Sequence, residues 1–252
     1  MQTIHVADGV FAGGRRGVHA VAVDAGLIIA MGTYEEMAAT RPQARVRRWP
    51  GLLTPGLRHP QAAALLEAAY HPDPREADQL GTEPLTGEAL AALEMDEARW
   101  GASARRGLQR LLRHGVTAVC GPFTRPAVRT AVARSGLHVR DVREPGSGAE
   151  REAFTLDPFP AYPLNALLDR SLTVGGPADF AVFEVPVFDV SVDDGPVEDA
   201  PVDDVPVEDA RVEDAPVDDV LFDDVLARML RLHGAGTCVA TVLGGRLVYR
   251  RA

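Results

Sequence analysis

Seven histidines, two cysteines and a rich set of arginines are the side chains of this sequence that could carry chemistry. A hydrolytic zinc site takes about three protein ligands and one open position for the water it acidifies. The imidazoles here come singly. His59 closes the phrase PGLLTPGLRHP (residues 50–60), His71 lies in a Pro/Asp loop, His114 sits at a helix end and His138 falls mid-strand. Such spacing predicts no metal centre, and no cofactor is expected. Cys120 and Cys238 make neither a disulfide framework nor a thiolate zinc site. Cys120 ends an apolar run beside Gly121-Pro122, where α/β proteins place reactive groups, so it is a conceivable nucleophile; a buried structural cysteine is the commoner case. Ser103 and Ser135 lie in helical contexts without a nucleophile elbow. All 26 cationic side chains are arginine, which excludes Schiff-base chemistry, a P-loop lysine and a carboxylated lysine bridging two metals. No catalytic residue is assigned.

Arginines cluster at 105–113 with Arg99, opposite Leu108, Leu111 and Leu112 on the same helix; without interleaved aromatics this reads as a solvated face, and no nucleic-acid partner is expected. Gly13-Gly14-Arg15-Arg16 reads as a hairpin turn, since no helix follows to make a phosphate loop.

Residues 186–225 parse as eight pentads, PVFDV, SVDDG, PVEDA, PVDDV, PVEDA, RVEDA, PVDDV and LFDDV. They hold fifteen acids and one arginine, a charge of −14, which leaves +4 for the remainder of a chain whose net charge is −10. A period of five matches neither strand nor helix, and recurrent proline blocks helix. The expectation for 186–221 is a solvated, disordered loop. Calcium would need about six to eight oxygens converging on a tight turn, and the tract has one glycine, Gly195, and no EF-hand spacing.

The elements that would position these side chains can be read coarsely. Residues 3–6, 17–23 and 27–31 are β-rich runs separated by turn signals, an expected antiparallel meander. A helix is expected at 34–40 with Thr33 as its cap, then a strand at 44–49. Helical patterns cover 62–70, 87–95, 97–114 and 126–135, with strands at 116–120 and 137–142 between them, the alternation of α/β units with parallel strands. Residues 144–152 read as a polar linker, 154–168 as irregular and 180–184 as a strand. The chain closes with a helix at 222–233 and two strands flanking Gly244-Gly245, a pair suited to a tight hairpin. The apolar fraction of 46% permits a sizeable core in 252 residues, and no run is long enough to span a membrane. No membrane partner and a cytoplasmic location are expected.

The opening strands, Pro50-Gly51-Leu52-Leu53-Thr54-Pro55-Gly56, Gly175-Gly176-Pro177-Ala178-Asp179-Phe180-Ala181-Val182-Phe183 and the closing VATVLGGRLVYR (239–250) resemble the metal-dependent amidohydrolase superfamily, nearest its imidazolonepropionase-like and aminodeoxyfutalosine deaminase-like branch. LQRLLRHGVTAV (108–119) resembles the helix and second barrel strand of these enzymes. The resemblance implies a fold of α/β plus β. A composite β-sandwich domain would come from both chain ends, 1–55 with 171–185 and 222–252. It would stand beside a truncated, partial TIM-barrel-like segment, 56–170, with the acidic repeat at 186–221. A full barrel takes about 250 residues, far more than this segment holds. The family activity is hydrolysis of non-peptide C–N bonds in cyclic amides and amidines. Its first barrel strand ends in two histidines one residue apart, and those positions fall here on Gly56 and Arg58, or with a shift of one on Leu57 and His59. Asp157 in FTLDPFP faintly resembles the family's last-strand aspartate, although a turn aspartate before Pro158 is the plainer reading. The expectation is therefore a non-catalytic relative acting as a homodimer or with another protein. The alternative is an active hydrolase or deaminase with an atypical metal site, completed by dimerisation from His59, His71 and Asp157.

Overall fold

The computed structural model describes residues 1–13, 17–141, 155–186, 225 and 227–251. Gly14, Arg15 and Arg16, the linker at 144–152, the acidic repeat and most of the first turn of the helix expected at 222–233 lie outside those residues.

Short runs of alternating small and branched residues open the chain as β1 (Thr3–Val6), β2 (Gly9–Val10), β3 (Ala20–Asp24) and β4 (Leu27–Gly32). β1, β3 and β4 pair antiparallel in succession, the expected meander, while β2, in a stretch read as a turn, pairs outside this sheet. Helix α1 (Tyr34–Thr40) starts in a capping box, with Glu36 N donating to Thr33 Oγ1 and Thr33 N donating to Glu36 Oε2. It drops Met37 onto Ile4, Ala20 and Ala22. β5 (Arg45–Arg48) then returns parallel to β1, giving the order β4-β3-β1-β5 with β5 as an edge.

β6 (Leu52–Pro55) and β7 (Leu57–His59) are separated by Gly56 alone, where a Cβ would sit 2.0 Å from Thr117 Oγ1. Helix α2 (Ala62–Glu67) stops short of the expected residue 70, because Tyr70 is drawn into an antiparallel bridge with Leu85, N to O 2.8 Å in each direction. A 3₁₀ turn at Pro74–Glu76 leads into α3 (Ala77–Leu80), and α4 (Gly87–Ala91) is likewise shorter than its pattern. Asp96 explains the last difference: as N-cap of α5 (Glu97–Arg113) it takes extended backbone and accepts from Arg99 N at 2.7 Å, which ends any helix before it. β8 (Val116–Cys120), α6 (Pro126–Ser135) and β9 (His138–Arg140) complete a three-stranded sheet, β7-β8-β9, parallel throughout. Gly136 in the left-handed region stops α6, as read from the sequence.

The stretch expected to be irregular contains α7 (Leu164–Leu167). β10 (Phe180–Phe183), β11 (Cys238–Leu243) and β12 (Arg246–Arg250) then join β6 and β2 in the order β12-β11-β10-β6-β2, so this sheet is woven from both early and late sequence. Gly244 and Gly245 both have positive φ, the requirement of a two-residue hairpin turn. One apolar cluster joins the two larger sheets through Val21, Val23 and Ile28 against Leu53, Phe180 and Val242. Another seats α2, α5 and α6 on β7 and β8 and runs on to Phe159 and Phe183. The architecture is thus mixed α/β with three sheets. Among the described residues no helix is long and apolar enough to cross a membrane.

Candidate functional site at the strand ends

Parallel strands present their carboxyl ends to ligands because chain connections open a crevice there. In the three-stranded sheet those ends carry His59, Cys120 and Arg140, with Cys120 and Arg140 opposite one another in register. Each is already committed. The Arg140 guanidinium grips Asp169 through Nε and Nη2, both at 2.7 Å, and this bidentate pairing raises its pKa further. The Asp169 carboxylate is only 4% exposed, and its backbone N donates to Gly56 O at 3.0 Å, fastening residues 164–169 across the sheet. Arg58 Nη2 donates to the Ala166 carbonyl at 2.7 Å, a second rivet in the same strap.

Cys120 is buried, and burial pushes its thiol pKa up; Arg58 opposes that shift and Asp169 adds to it. A thiol held protonated is a poor nucleophile, which favours the structural reading of Cys120. Cys238 is buried too, its pKa pushed up to about 11 by burial, with Sγ donating to Ala240 O at 3.4 Å.

His59 is 1% exposed, with Nε2 at 3.0 Å from Thr155 O, a contact in which the ring N–H donates. Burial lowers its pKa to about 4, opposed by that carbonyl and aided by His114. His71 is fully buried, with Nε2 3.1 Å from Leu65 O, and its backbone N donates to Ser103 Oγ at 2.9 Å. Asp157 is a turn aspartate: Oδ1 accepts from Phe159 N at 2.9 Å and Oδ2 from Ala235 N at 2.8 Å. Each member of the alternative ligand set His59, His71 and Asp157 thus makes a hydrogen bond to a backbone group. His59 and His71 are buried, and each engages a backbone carbonyl through Nε2 alone. His114 Nδ1 lies 2.9 Å from Arg110 O at the C-terminus of α5, and His138 Nε2 pairs with Asp179 Oδ2 at 2.7 Å. Asp179 Oδ1 accepts from Gly244 N at 2.6 Å, so this pair clasps β9 to the closing hairpin. Ser135 Oγ donates to Val132 O. Among the described residues no group of three or more His, Cys, Asp or Glu is placed to hold a metal.

The arginine face of α5 is solvated only in part, at Arg105 and Arg113. Arg99 pairs with Glu76 at 3.1 Å, Arg106 donates to His71 O at 2.7 Å and to Asp73, and Arg110 donates to Thr82 O. These guanidiniums latch the loop at 71–82 to the helix instead of facing water. Two clefts are otherwise open. One, about 560 Å³, lies where Glu67 accepts from the backbone N–H groups of Thr124 and Arg125. The other, about 720 Å³, is lined by Phe11, Leu164, Leu168, Ala227, Arg228 and Arg231.

Asp169 and Arg140 were invisible to sequence reading, being 29 residues apart with no motif between them. One signal was present: an arginine at an inward position of a short strand calls for a buried acid. Replacing Asp169 with alanine strands the Arg140 charge beneath the strap, and a loss of about 2–3 kcal/mol is expected in urea unfolding. A midpoint unchanged from wild type would show the pair to be idle.

No protein-family model and no curated protein matches the chain. Solved structures do. The ochratoxinase of A. niger matches at 20% identity, covering 56% of this chain and 31% of that one, with a TM-score of 0.38. An amidohydrolase from a Sargasso Sea sample matches at 19% identity over 60% and 35%, TM-score 0.35. Aminofutalosine deaminase of Helicobacter pylori matches at 14% identity over 55% and 32%, TM-score 0.35. The match spans about a third of each of these chains. The likeness covers 55–60% of this chain and concerns fold alone.

Proposed function

We propose that this chain is an amidohydrolase-like protein that performs no hydrolysis itself and works by association with a second copy. In this reading 1–55, 171–185 and 222–252 are the composite β-sandwich domain, and 56–170 is a barrel cut down to three strands. One observation carries the non-catalytic reading: where the strands end, cations and a carbonyl-bound imidazole stand in place of a ligand set. Arg58 and Arg140 are permanently charged, and Arg140 is paired with Asp169. The residues do not fit a divalent ion, because a second cation there meets like charge, the His59 imidazole is turned to Thr155 and His138 is paired with Asp179.

Association is supported by β9, whose outer side has no strand partner among the described residues and whose Val139 is 53% exposed. An open strand edge with an apolar side chain is a template for pairing. The occupant we assign is the same edge of a second copy, antiparallel about a two-fold axis.

A second reading, an active C–N hydrolase or deaminase with an atypical metal site, has one observation behind it. Nδ1 of His59 is buried and has no hydrogen-bond partner among the described residues. One experiment separates the two: zinc content and mass of the purified full-length protein after zinc saturation and dialysis. The expected result is a dimer without stoichiometric zinc, made monomeric by Val139→Asp. Stoichiometric zinc that disappears in His59→Ala overturns the non-catalytic reading, and a monomeric wild type overturns the association.

A further inference from the structure

Independently of that reading, three arginines gather at one corner of the protein. Arg45 and Arg47 lie two residues apart on β5 and so project from the same face. Arg47 is beside His5 in the parallel register of β5 with β1. The His5 ring stacks on Trp49 at 6.0 Å, and the Arg250 guanidinium lies 5.8 Å from the Trp49 ring centre. This chain of contacts carries Arg250, on the edge strand β12, to Arg47. Burial and then the Arg45 and Arg250 charges hold the Arg47 guanidinium below its usual pKa. Among the described residues none of the three has a carboxylate partner, whereas Arg99, Arg106, Arg140 and Arg251 each have one. Arg45 and Arg250 are exposed, and β5 offers its free backbone edge alongside them.

We propose that Arg45, Arg47 and Arg250 form a carboxylate-binding site on the free edge of the four-stranded sheet, and that its ligand is this chain's own acidic repeat, residues 186–221. Location supports the assignment. Gly51, two residues beyond Trp49, packs so tightly on the segment leaving β10 that a Cβ there would lie 2.2 Å from Phe183 O and 2.8 Å from Val185 N. The chain therefore sets out toward the repeat from beside the end of β5. The first acid pair, Asp193-Asp194, comes seven residues after Pro186, and that length of extended chain reaches about 23 Å, ample to span a four-residue strand. Charge supports it too: residues 186–221 carry −12 against a remainder of +2. Arginine forks suit paired carboxylates, and tethering supplies an effective concentration near the millimolar range, so weak individual contacts suffice.

The test uses the full chain and a labelled peptide of residues 196–210, PVEDAPVDDVPVEDA. A companion variant changes the twelve acids from 193 to 219 to their amides (Asp193→Asn, Glu198→Gln and so on) and keeps the chain length. The tethered repeat competes with added peptide in the wild type, so fluorescence anisotropy is expected to show about tenfold or more tighter peptide binding to the amide variant. Adding Arg45→Gln, Arg47→Gln and Arg250→Gln to the amide variant should abolish that binding while leaving its thermal midpoint in place; Arg45→Glu alone is the control should the triple variant misfold. Equal binding to wild type and amide variant overturns the proposal. So does no binding to the amide variant, or binding that survives the arginine changes. Displacement of the peptide by oligothymidylate at lower concentration than by unlabelled peptide would mark a nucleic-acid site and overturn it as well.

Discussion

Acidification from pH 7 to pH 5 is expected to remove up to about 6 kcal/mol of stability, enough to unfold a domain of ordinary stability of about 5–15 kcal/mol. Three histidines cause it. His5, His59 and His71 are 1%, 1% and 0% exposed. Burial drops the His5 pKa to about 3, with Arg47 adding to the effect, and burial likewise lowers His59 and His71 to about 4 each. Above the unfolded value of 6.5 all three are neutral in both states and the stability is whole. As the pH falls below 6.5 the unfolded chain takes up protons that the folded one refuses. Stability then declines by about 4 kcal/mol per pH unit while all three differ, until the folded values are reached. The local chemistry agrees. Nδ1 of His5 accepts from Trp49 Nε1 at 3.1 Å and would lose that bond on protonation. Nδ1 of His59 and of His71 are buried without a partner among the described residues, and a proton on either would find no acceptor among them. Urea titrations between pH 8 and pH 5 measure the slope, and His59→Gln should reduce it by about a third. A midpoint that stays level from pH 7 to pH 5 would contradict the neutral burial of these rings.

Gly51→Ala should cost about 3–5 kcal/mol, a loss of the exceptional class for a single methyl group. Two penalties combine. The residue has φ +80, in the left-handed region that costs a side-chain-bearing residue about 1–2 kcal/mol. Its new Cβ would also lie 2.2 Å from a backbone oxygen, that of Phe183, which cannot rotate away as a side chain would. The neighbours have no slack, because Gly51 N donates to Asp8 Oδ2 at 2.6 Å and Gly51 O accepts from Asp8 N at 2.9 Å. Thermal unfolding of the purified variant checks the size. A shift no larger than that of an exposed glycine such as Gly175→Ala, where a Cβ meets nothing, would show that the strands can spread to admit it.

These features differ in how far a sequence reveals them. The Gly244-Gly245 hairpin, the Thr33 cap, helix α6 with its glycine stop and the apolar strand β8 depend on a few adjacent residues, and reading them locally succeeds. Gly51 was legible only as part of a phrase; its reason, a close approach of residues more than 130 positions later, needed the fold. The helix ends at 67 and 91 were overrun because Tyr70 pairs with Leu85 and Asp96 caps α5, competitors that periodicity does not weigh. At the candidate site the scarcity of histidine was visible, as was the arginine in the place of a ligand. The partner that neutralises Arg140 and the carbonyl that occupies His59 were not, since ion pairs and ring hydrogen bonds at such separations follow from tertiary approach alone.

The weaving of early and late strands into one sheet has a consequence for synthesis. β6 pairs with β10 across about 130 residues, and β10 is flanked on its other side by β11, among the last strands translated. Until those later strands emerge, Leu52 and Leu53 on the nascent chain must wait with one backbone edge unmatched, so the two larger layers can lock only once β10 and β11 are available. Holdase chaperones that shield apolar strands should be found on this polypeptide during elongation and leave it once the final hairpin has closed.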